Sequence, residues 1–469
     1  MSCKPPTNST YLAIGQDLFS INEYVTSQYN YSLHQQLNST NNDTSNTIGS
    51  DGLPISSFVP SAFMVYTDLE TLKGLWEPTD YGSGVEFADG VLDLFPSKNA
   101  NTNHNSQSST GLQIGLWLNG TQGCFSICAG QMDDQIHLLI AYLERSRASK
   151  IFLRLGYEFD NPSFGYSDDP EMYILAFRKI VSDCREQLSE EALGRVLFVW
   201  HSWAAPMATK RLSLDSFYPG DEFVDWIGVS IFQQVFPWSP YWGGNMQDVE
   251  RVLDFARRHD KPTIIAESTP FGGIELKQAS NATKVFLANN EYDHDDWDRW
   301  FGKVVDVINR YDVSMWCFIN CDWESQPMWH NVGFGETRLS SNQHVMSQWH
   351  EQIIKHGIAN ERKFLASGSL ENCGTPGIMD LGGPNNESNN EKGVFGLSNF
   401  FSFILVPFLV ASGAFFVPYF ILGGHRARRG RSSERERRPL LSNMDESTRA
   451  SPAQTSDSKK PSVDGVTLC

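Results

Sequence analysis

Eight short apolar runs, mostly followed by amphipathic helical patterns, occupy about the first 355 of the 469 residues and predict an α/β fold. Strands joined by helices run parallel, either in an open doubly wound sheet or in a closed barrel. No glycine-rich phosphate loop follows the first run, which weakens the dinucleotide-binding alternative. Eight repeats over this length fit a (β/α)8 TIM barrel. The prediction adds a stalk, one transmembrane helix and a disordered cytoplasmic tail, with boundaries at 1–365, 366–395, 396–423 and 424–469.

The elements follow in order. "YLAIGQD" opens as a strand and "LFSINEYVTSQYNY" continues as a helix. "SAFMVYTDLE" and "GLQIGLWLNG" are the second and third strands, and the helical "QMDDQIHLLIAYLERSRAS" leads into the fourth, "KIFLRLGYEFD". A helix with Pro170 in its first turn precedes "RVLFVWHSWA". "FVDWIGVSIFQQ", "NMQDVERVLDFARRHD" and "KPTIIAES" supply the sixth strand, a helix and the seventh strand. "DDWDRWFGKVVDVINRYD", "VSMWCFIN" and "NQHVMSQWHEQIIKH" close the barrel.

A net charge of -18 argues against nucleic acid as a partner, since phosphate binding needs a basic surface. The charge is uneven. "FFSFILVPFLVASGAFFVPYFIL", Phe400 to Leu422, has no ionisable group and exceeds the roughly 20 residues that cross hydrocarbon. The arginine-rich stretch after it predicts a cytoplasmic C-terminus, with the large domain lumenal or extracellular, at the plasma membrane or an endolysosomal or vacuolar membrane. "MSCKPPTNSTYLAIGQDLF" lacks the signal-peptide pattern, so this topology expects either a truncated start, the favoured reading, or a cytosolic domain. Seven N-x-S/T sequons, at Asn8, Asn30, Asn38, Asn42, Asn119, Asn281 and Asn386, favour a glycoprotein on the secretory route. In the tail, Glu436 to Leu441 resembles the acidic dileucine motif read by sorting adaptors.

The eight cysteines do not form a disulfide scaffold in so long a chain. Cys124 and Cys128 fall in a predicted loop, Cys317 and Cys321 flank a strand end, and each pair could form a short-range disulfide. Neither pair has a histidine cluster beside it, so no metal and no cofactor are expected.

The chemistry is sought at strand ends, because a barrel builds its site at the carboxyl ends of its strands. Alternation puts Arg154, Gly156 and Glu158 on one face, with Glu158 closing the fourth strand. Thr263, Ile265 and Glu267 share a face of the seventh, with Glu267 closing it. Two carboxylates facing each other across the mouth are what glycosidic cleavage requires. The bland alternative pairs each with a cation at its own strand end. Arg154, deeper in the barrel, needs an anionic partner in any case. Aromatic residues crowd the same rim: Trp200, Trp203 and His201 after the fifth strand, and Trp316, Trp323 and Trp329 at the eighth. Phe236, Trp238, Tyr241 and Trp242 follow the sixth. Flat rings stack on sugar faces while polar neighbours bind hydroxyls, although some of these rings will only pack the barrel.

"YPGDEFVDWIGVSIFQQ" resembles the Y-P-G-D-[EK]-Y-V-D-W-[IV]-G stretch of glycoside hydrolase family 26. "KPTIIAES" and "IFLRLGYEFD" resemble its nucleophile and acid/base strands, and the similarity spans about residues 11 to 355. The resemblance implies a retaining (β/α)8 hydrolase of β-mannans, mixed-linkage glucans or β-xylans, with Glu158 as acid/base and Glu267 as nucleophile. It departs from the family pattern at Tyr157, where the family has His, and at Phe232, where a tyrosine hydroxyl steadies the nucleophile. Gln233 or Tyr157 could compensate.

The expected function is therefore a membrane-anchored retaining hydrolase of a β-linked, mannan-like or glucan-like polysaccharide. Tyr157, Asp160, His201, Trp203, Phe232, Gln233, Trp316 and Trp323 are expected to contact substrate, with Arg154 in support. A non-catalytic sugar-binding surface protein and a wall-remodelling transglycosidase are the competing readings.

Overall fold

A computed structural model describes residues 3–40, 58–95, 108–205, 213–235, 245–274, 296–355, 362–371 and 373. Eight parallel strands close into a barrel. They are β1 (Ser9–Gly15), β2 (Ala62–Asp68), β5 (Gly111–Trp117), β6 (Ile151–Leu155), β7 (Val196–Ser202), β8 (Trp226–Ile231), β9 (Thr263–Ser268) and β10 (Met315–Ile319). Each pairs with the next, and β10 pairs with β1 to complete the ring. A two-stranded hairpin, β3 (Thr79–Asp80) and β4 (Val85–Glu86), follows β2. A short β11 (Lys363–Leu365) runs beside β1.

Helices α1 (Leu18–Thr40), α2 (Ala88–Leu94), α3 (Gly120–Cys128), α4 (Asp133–Arg145), α5 (Pro170–Gln187), α6 (Glu190–Leu193), α7 (Met246–Arg258), α8 (Asp296–Tyr311) and α9 (Gln343–Trp349) connect the strands. Their ends follow local chemistry. Asp169 accepts the Met172 backbone N–H ahead of Pro170, and Asn245 with Asp248 forms a reciprocal capping box on α7.

Strand alternation divides the interior into two layers. Phe152, Leu197, Val199, Trp226, Ile264, Ala266, Met315 and Cys317 fill the barrel. Ile151, Leu153, Trp200, Ile227, Ile265, Trp316 and Phe318 face the helices. The two tryptophans taken from strands seven and ten of this order thus point away from the mouth. Trp200 stacks on Phe159, at 4.2 Å between centroids, and Trp316 packs on Trp349 at 5.3 Å.

Two details of the expected strands change. Ile265 is on the helix face, so simple alternation would turn Glu267 outward as well. The ladder skips a residue instead: Val229 pairs with Ile265 and Ser230 with Glu267, leaving Ala266 as a bulge. The extra residue resets the alternation and turns Glu267 into the barrel. Gln113 Nε2, from across the barrel, donates to the Ala266 carbonyl at 2.6 Å. On the other side β6 ends at Leu155. A turn with Gly156 at φ 56° and Glu158 at φ 53° carries the carboxylate, not a continued strand.

The cysteine pairing also differs. Cys3 and Cys373 form a disulfide across a separation of 370 residues, while Cys124, Cys317 and Cys321 are thiols outside any disulfide. Cys124 and Cys128 lie one turn apart on α3, with Cys124 turned into the core, and Cys317 points into the barrel beside Met64. Among the described residues no helix is long and apolar enough to cross a membrane. The predicted stalk beyond 373, the Phe400–Leu422 span, the tail and the Glu436–Leu441 motif lie outside the described residues, as do Phe236, Trp238, Tyr241 and Trp242.

Candidate active site

Arg154 points into the barrel from β6 and is fully buried. Its Nη1 donates to Glu267 Oε1, which supplies the anionic partner that a buried cation requires. Gly115 on the neighbouring strand makes room for it, since a Cβ there would lie 2.7 Å from Arg154 Nη2 and 2.6 Å from the Tyr66 ring. Tyr66 and Tyr157 cover the guanidinium, with its carbon 5.1 and 5.4 Å from their ring centroids. Burial first, and the Glu267 charge second, hold both phenols well above their ordinary range.

Glu158 is 5% exposed and Glu267 7%. Ser230 Oγ donates to Glu158 Oε1 at 2.6 Å, and Asn161 Nδ2 donates to Oε2 at 3.0 Å. Burial, followed by the charge of Glu267, pushes the Glu158 carboxyl up to about 8. One oxygen of Glu158, one of Glu267 and one ring nitrogen of His201 lie within 4.8 Å of one another. This trio has the residue types of a cation site. Two of the three, Glu267 and His201, already share the Arg154 guanidinium as a partner.

The other predicted residues divide by what they touch. His201 is fully buried, with Nδ1 3.2 Å from Arg154 Nη1 and Nε2 3.0 Å from Ser230 Oγ. Both ring nitrogens of this expected sugar contact are engaged within the protein. Asp160 likewise binds protein: it accepts from Ser202 Oγ and from the backbone of Trp203 and Ala205, at 2.6–2.9 Å, and so ties the β6 turn to the β7 loop. Trp203 is half-buried beside that anchor. Gln233 is buried in the turn after β8.

Two aromatic walls stand on the loops after the strands. On the Glu158 side, Tyr157 lies 5.4 Å from Tyr66, 5.8 Å from Phe164 and 5.9 Å from Trp117. On the other, Trp323 stacks on Phe334 at 4.8 Å, with Trp329 and Phe232 edge-on to the same ring at 5.3 and 5.6 Å. Phe232 has no hydroxyl for Glu267; Arg154 holds that carboxylate instead.

Sequence reasoning missed Ser230, Asn161, Tyr66 and Glu86. Ser230 was findable, because it shares the inward alternation of Trp226 and Phe232 on the sixth barrel strand. Glu86 reaches in from the hairpin to accept the Tyr66 backbone N–H at 2.9 Å. It carries no sequence signal, because a two-residue strand has no period.

No family model matches the chain. A β-1,3-xylanase from an Alcaligenes species is 25% identical over 372 residues, 77% of this chain and 66% of the relative. A β-1,3-xylanase, TXYA, from a Vibrio species is 26% identical over 360 residues, 74% of this chain and 65% of the relative. The chain thus spans about two thirds of the length of these curated relatives. Among solved structures, a family 26 β-mannanase from Bacteroides ovatus aligns with TM-score 0.46 and 14% identity. It covers 78% of this chain and 93% of the other. A modular endo-β-1,4-mannanase from Cellulomonas fimi gives TM-score 0.41 and 16% identity, over 66% and 65%. The chain is thus similar in sequence to β-1,3-xylanases and in fold to family 26 mannanases.

Proposed function

We propose that this protein is a retaining glycoside hydrolase acting on a β-linked polysaccharide. The carrying observation is the pair of carboxyl groups within 4.8 Å of each other in opposite electrostatic settings. Such closeness fits direct attack on the sugar, because inverting enzymes leave roughly 6.5–9.5 Å for a water. Glu267, paired with Arg154, is the anion that attacks the anomeric carbon. Glu158, kept protonated by burial and by that anion, donates its proton to the leaving oxygen. Forming the glycosyl ester consumes the Glu267 charge, so the pressure on Glu158 falls and it becomes the base that takes a proton from water.

The first sugars to test are β-1,3-xylan, because the curated relatives carry that activity in their names, and β-mannan and mixed-linkage β-glucan. The full chain and its Glu267→Ala variant are assayed for new reducing ends, and NMR follows the anomer first released. The proposal expects reducing ends only with Glu267 present, and a β-anomer first. A folded wild type as inert as the variant on every glycan rejects hydrolysis, and oligosaccharide binding without cleavage then makes it a sugar-binding protein. Product chains longer than the substrate would identify a transglycosidase.

We also propose that the barrel works outside the cytosol, anchored through Phe400–Leu422. The Cys3–Cys373 disulfide supports an oxidising compartment, and the apolar run with its basic flank supports the anchor. Carbonate extraction of membranes and protease protection of the barrel in sealed vesicles test this. Release by carbonate would remove the anchor, and cleavage from the cytosolic face would reverse the topology.

A further inference from the structure

Four hydrogen bonds join the two carboxyl groups through residues that no sugar needs to touch. Arg154 Nη1 has two protons, and they go to Glu267 Oε1 and toward His201 Nδ1. His201 Nε2 lies 3.0 Å from Ser230 Oγ, and Ser230 Oγ donates to Glu158 Oε1. A guanidinium has only protons to give, so His201 Nδ1 must accept. Burial and the Arg154 charge hold the imidazole neutral, so its single proton sits on Nε2 and is donated to Ser230. The serine hydroxyl then has one direction left for its own proton, toward Glu158 Oε1.

We infer that His201 and Ser230 are positioning residues of a one-way relay, which reserves Oε1 of Glu158 as the carbonyl-type acceptor and assigns the transferable proton to Oε2, whose remaining lone pair accepts from Asn161 Nδ2. The relay rests on the glycosidase reading only for the destination of that proton. Its polarity is a property of the folded chain. Arg154 sets the direction from the far end, so the same cation that steadies one carboxylate fixes which oxygen of the other is acidic. The charged and titratable groups around Glu158 are Glu267 on β9, Arg154 on β6, His201 on β7, and Tyr157 and Asp160 on its own turn. None of them donates to Oε1; Ser230 does.

Two measurements test it. Nitrogen-15 NMR of histidine-labelled full-length chain, with His201 assigned by its loss in His201→Gln, reads the tautomer without any substrate. The expected result is a neutral ring protonated at Nε2 from pH 5 to 8. A proton on Nδ1, or an imidazolium, overturns the relay even if the protein cleaves polysaccharide. Conversely, the expected tautomer in a chain that cleaves nothing retains the relay while the glycosidase reading fails.

The second measurement compares leaving groups. Ser230→Ala should lose about tenfold or more in kcat on polysaccharide with KM within about twofold, a part of the usual general-acid contribution. On an aryl glycoside whose phenolate leaves without a proton, the loss should stay within about twofold. The alkaline limb of kcat/KM should move up, and Ser230→Thr, which keeps the hydroxyl, should restore both. Equal losses on the two substrates with an unmoved limb overturn the proposal. If Ser230→Ala does not fold, the tautomer in the unaltered chain decides.

Discussion

Glu267 stands in a regular strand, turned inward by a bulge, with a guanidinium bonded to it. Glu158 stands three residues past the end of its strand, on a left-handed residue at φ 53°, and the neutral donors Ser230 and Asn161 bind its oxygens. Both side chains are equally buried, so burial alone cannot assign them different states. The difference is the partner. Glu267 has a buried cation bonded to it, whereas the hydroxyl and amide dipoles at Glu158 offset only part of the cost of a buried anion. The Glu267 charge then raises the cost of a second anion beside it.

Removing the anion should break this contrast most strongly. Glu267→Ala is expected to lower kcat by roughly 10⁴–10⁶, the scale on which catalytic units fail when a nucleophile is lost. Single-turnover kinetics with a trapped glycosyl ester checks it, since no ester should form. Removing the cation comes next. Arg154→Met takes the cation from Glu267 and the donor from His201 Nδ1 and should destabilise the fold by about 3–5 kcal/mol, measured by denaturant unfolding. Arg154→Lys would retain charge but lose the planar guanidinium that lies over Tyr66 and Tyr157, so activity should not return with it.

The pH dependence separates the two carboxyls directly. With Glu158 titrating at about 8, kcat/KM should fall above that pH as the acid is lost. Between the ordinary carboxyl range and pH 8 the folded protein binds a proton that the unfolded chain does not. Stability contributed at this group is therefore full at low pH and declines as pH rises through the window. Glu158→Gln should match the wild type in Tm near pH 4 and exceed it by several degrees at pH 8.5, while activity is lost. A flat Tm difference across that range would mean that Glu158 has an ordinary carboxyl.

The smallest expected effect sharpens the other side of the comparison. Gln113→Ala removes the donor to the Ala266 carbonyl and leaves that bulge oxygen unsatisfied, at about 1–3 kcal/mol. Part of that cost should appear as a lower kcat, through a less firmly aimed Glu267, with KM little changed.

Much of this was legible before any coordinates. Two glutamates at the ends of the fourth and seventh barrel strands follow from counting apolar runs, and the need for an anion opposite Arg154 follows from the cost of a buried charge. The face of Glu267 was reached by a faulty route, because continuous alternation pairs it with Ile265, which packs on the helices. The bulge at Ala266 cancels that error, and nothing in "KPTIIAES" announces a skipped pairing. His201 and Asp160 read as sugar contacts because polar residues at a barrel rim usually are; in the fold each is occupied by neighbours 29 to 47 residues away. The rings at Trp200 and Trp316 show the same gap between a residue's place along a strand and the side it faces.

Composition and periodicity by themselves pointed to an eight-stranded barrel and to the strands that lead into the two carboxylates, because both depend on patterns of a few residues. Tertiary structure alone decided that Arg154 belongs to Glu267, that His201 is a bridge and that burial and the Glu267 charge push the Glu158 carboxyl up. Those outcomes depend on field strength and hydrogen-bond direction between strands far apart in the chain, and such quantities have no local signature.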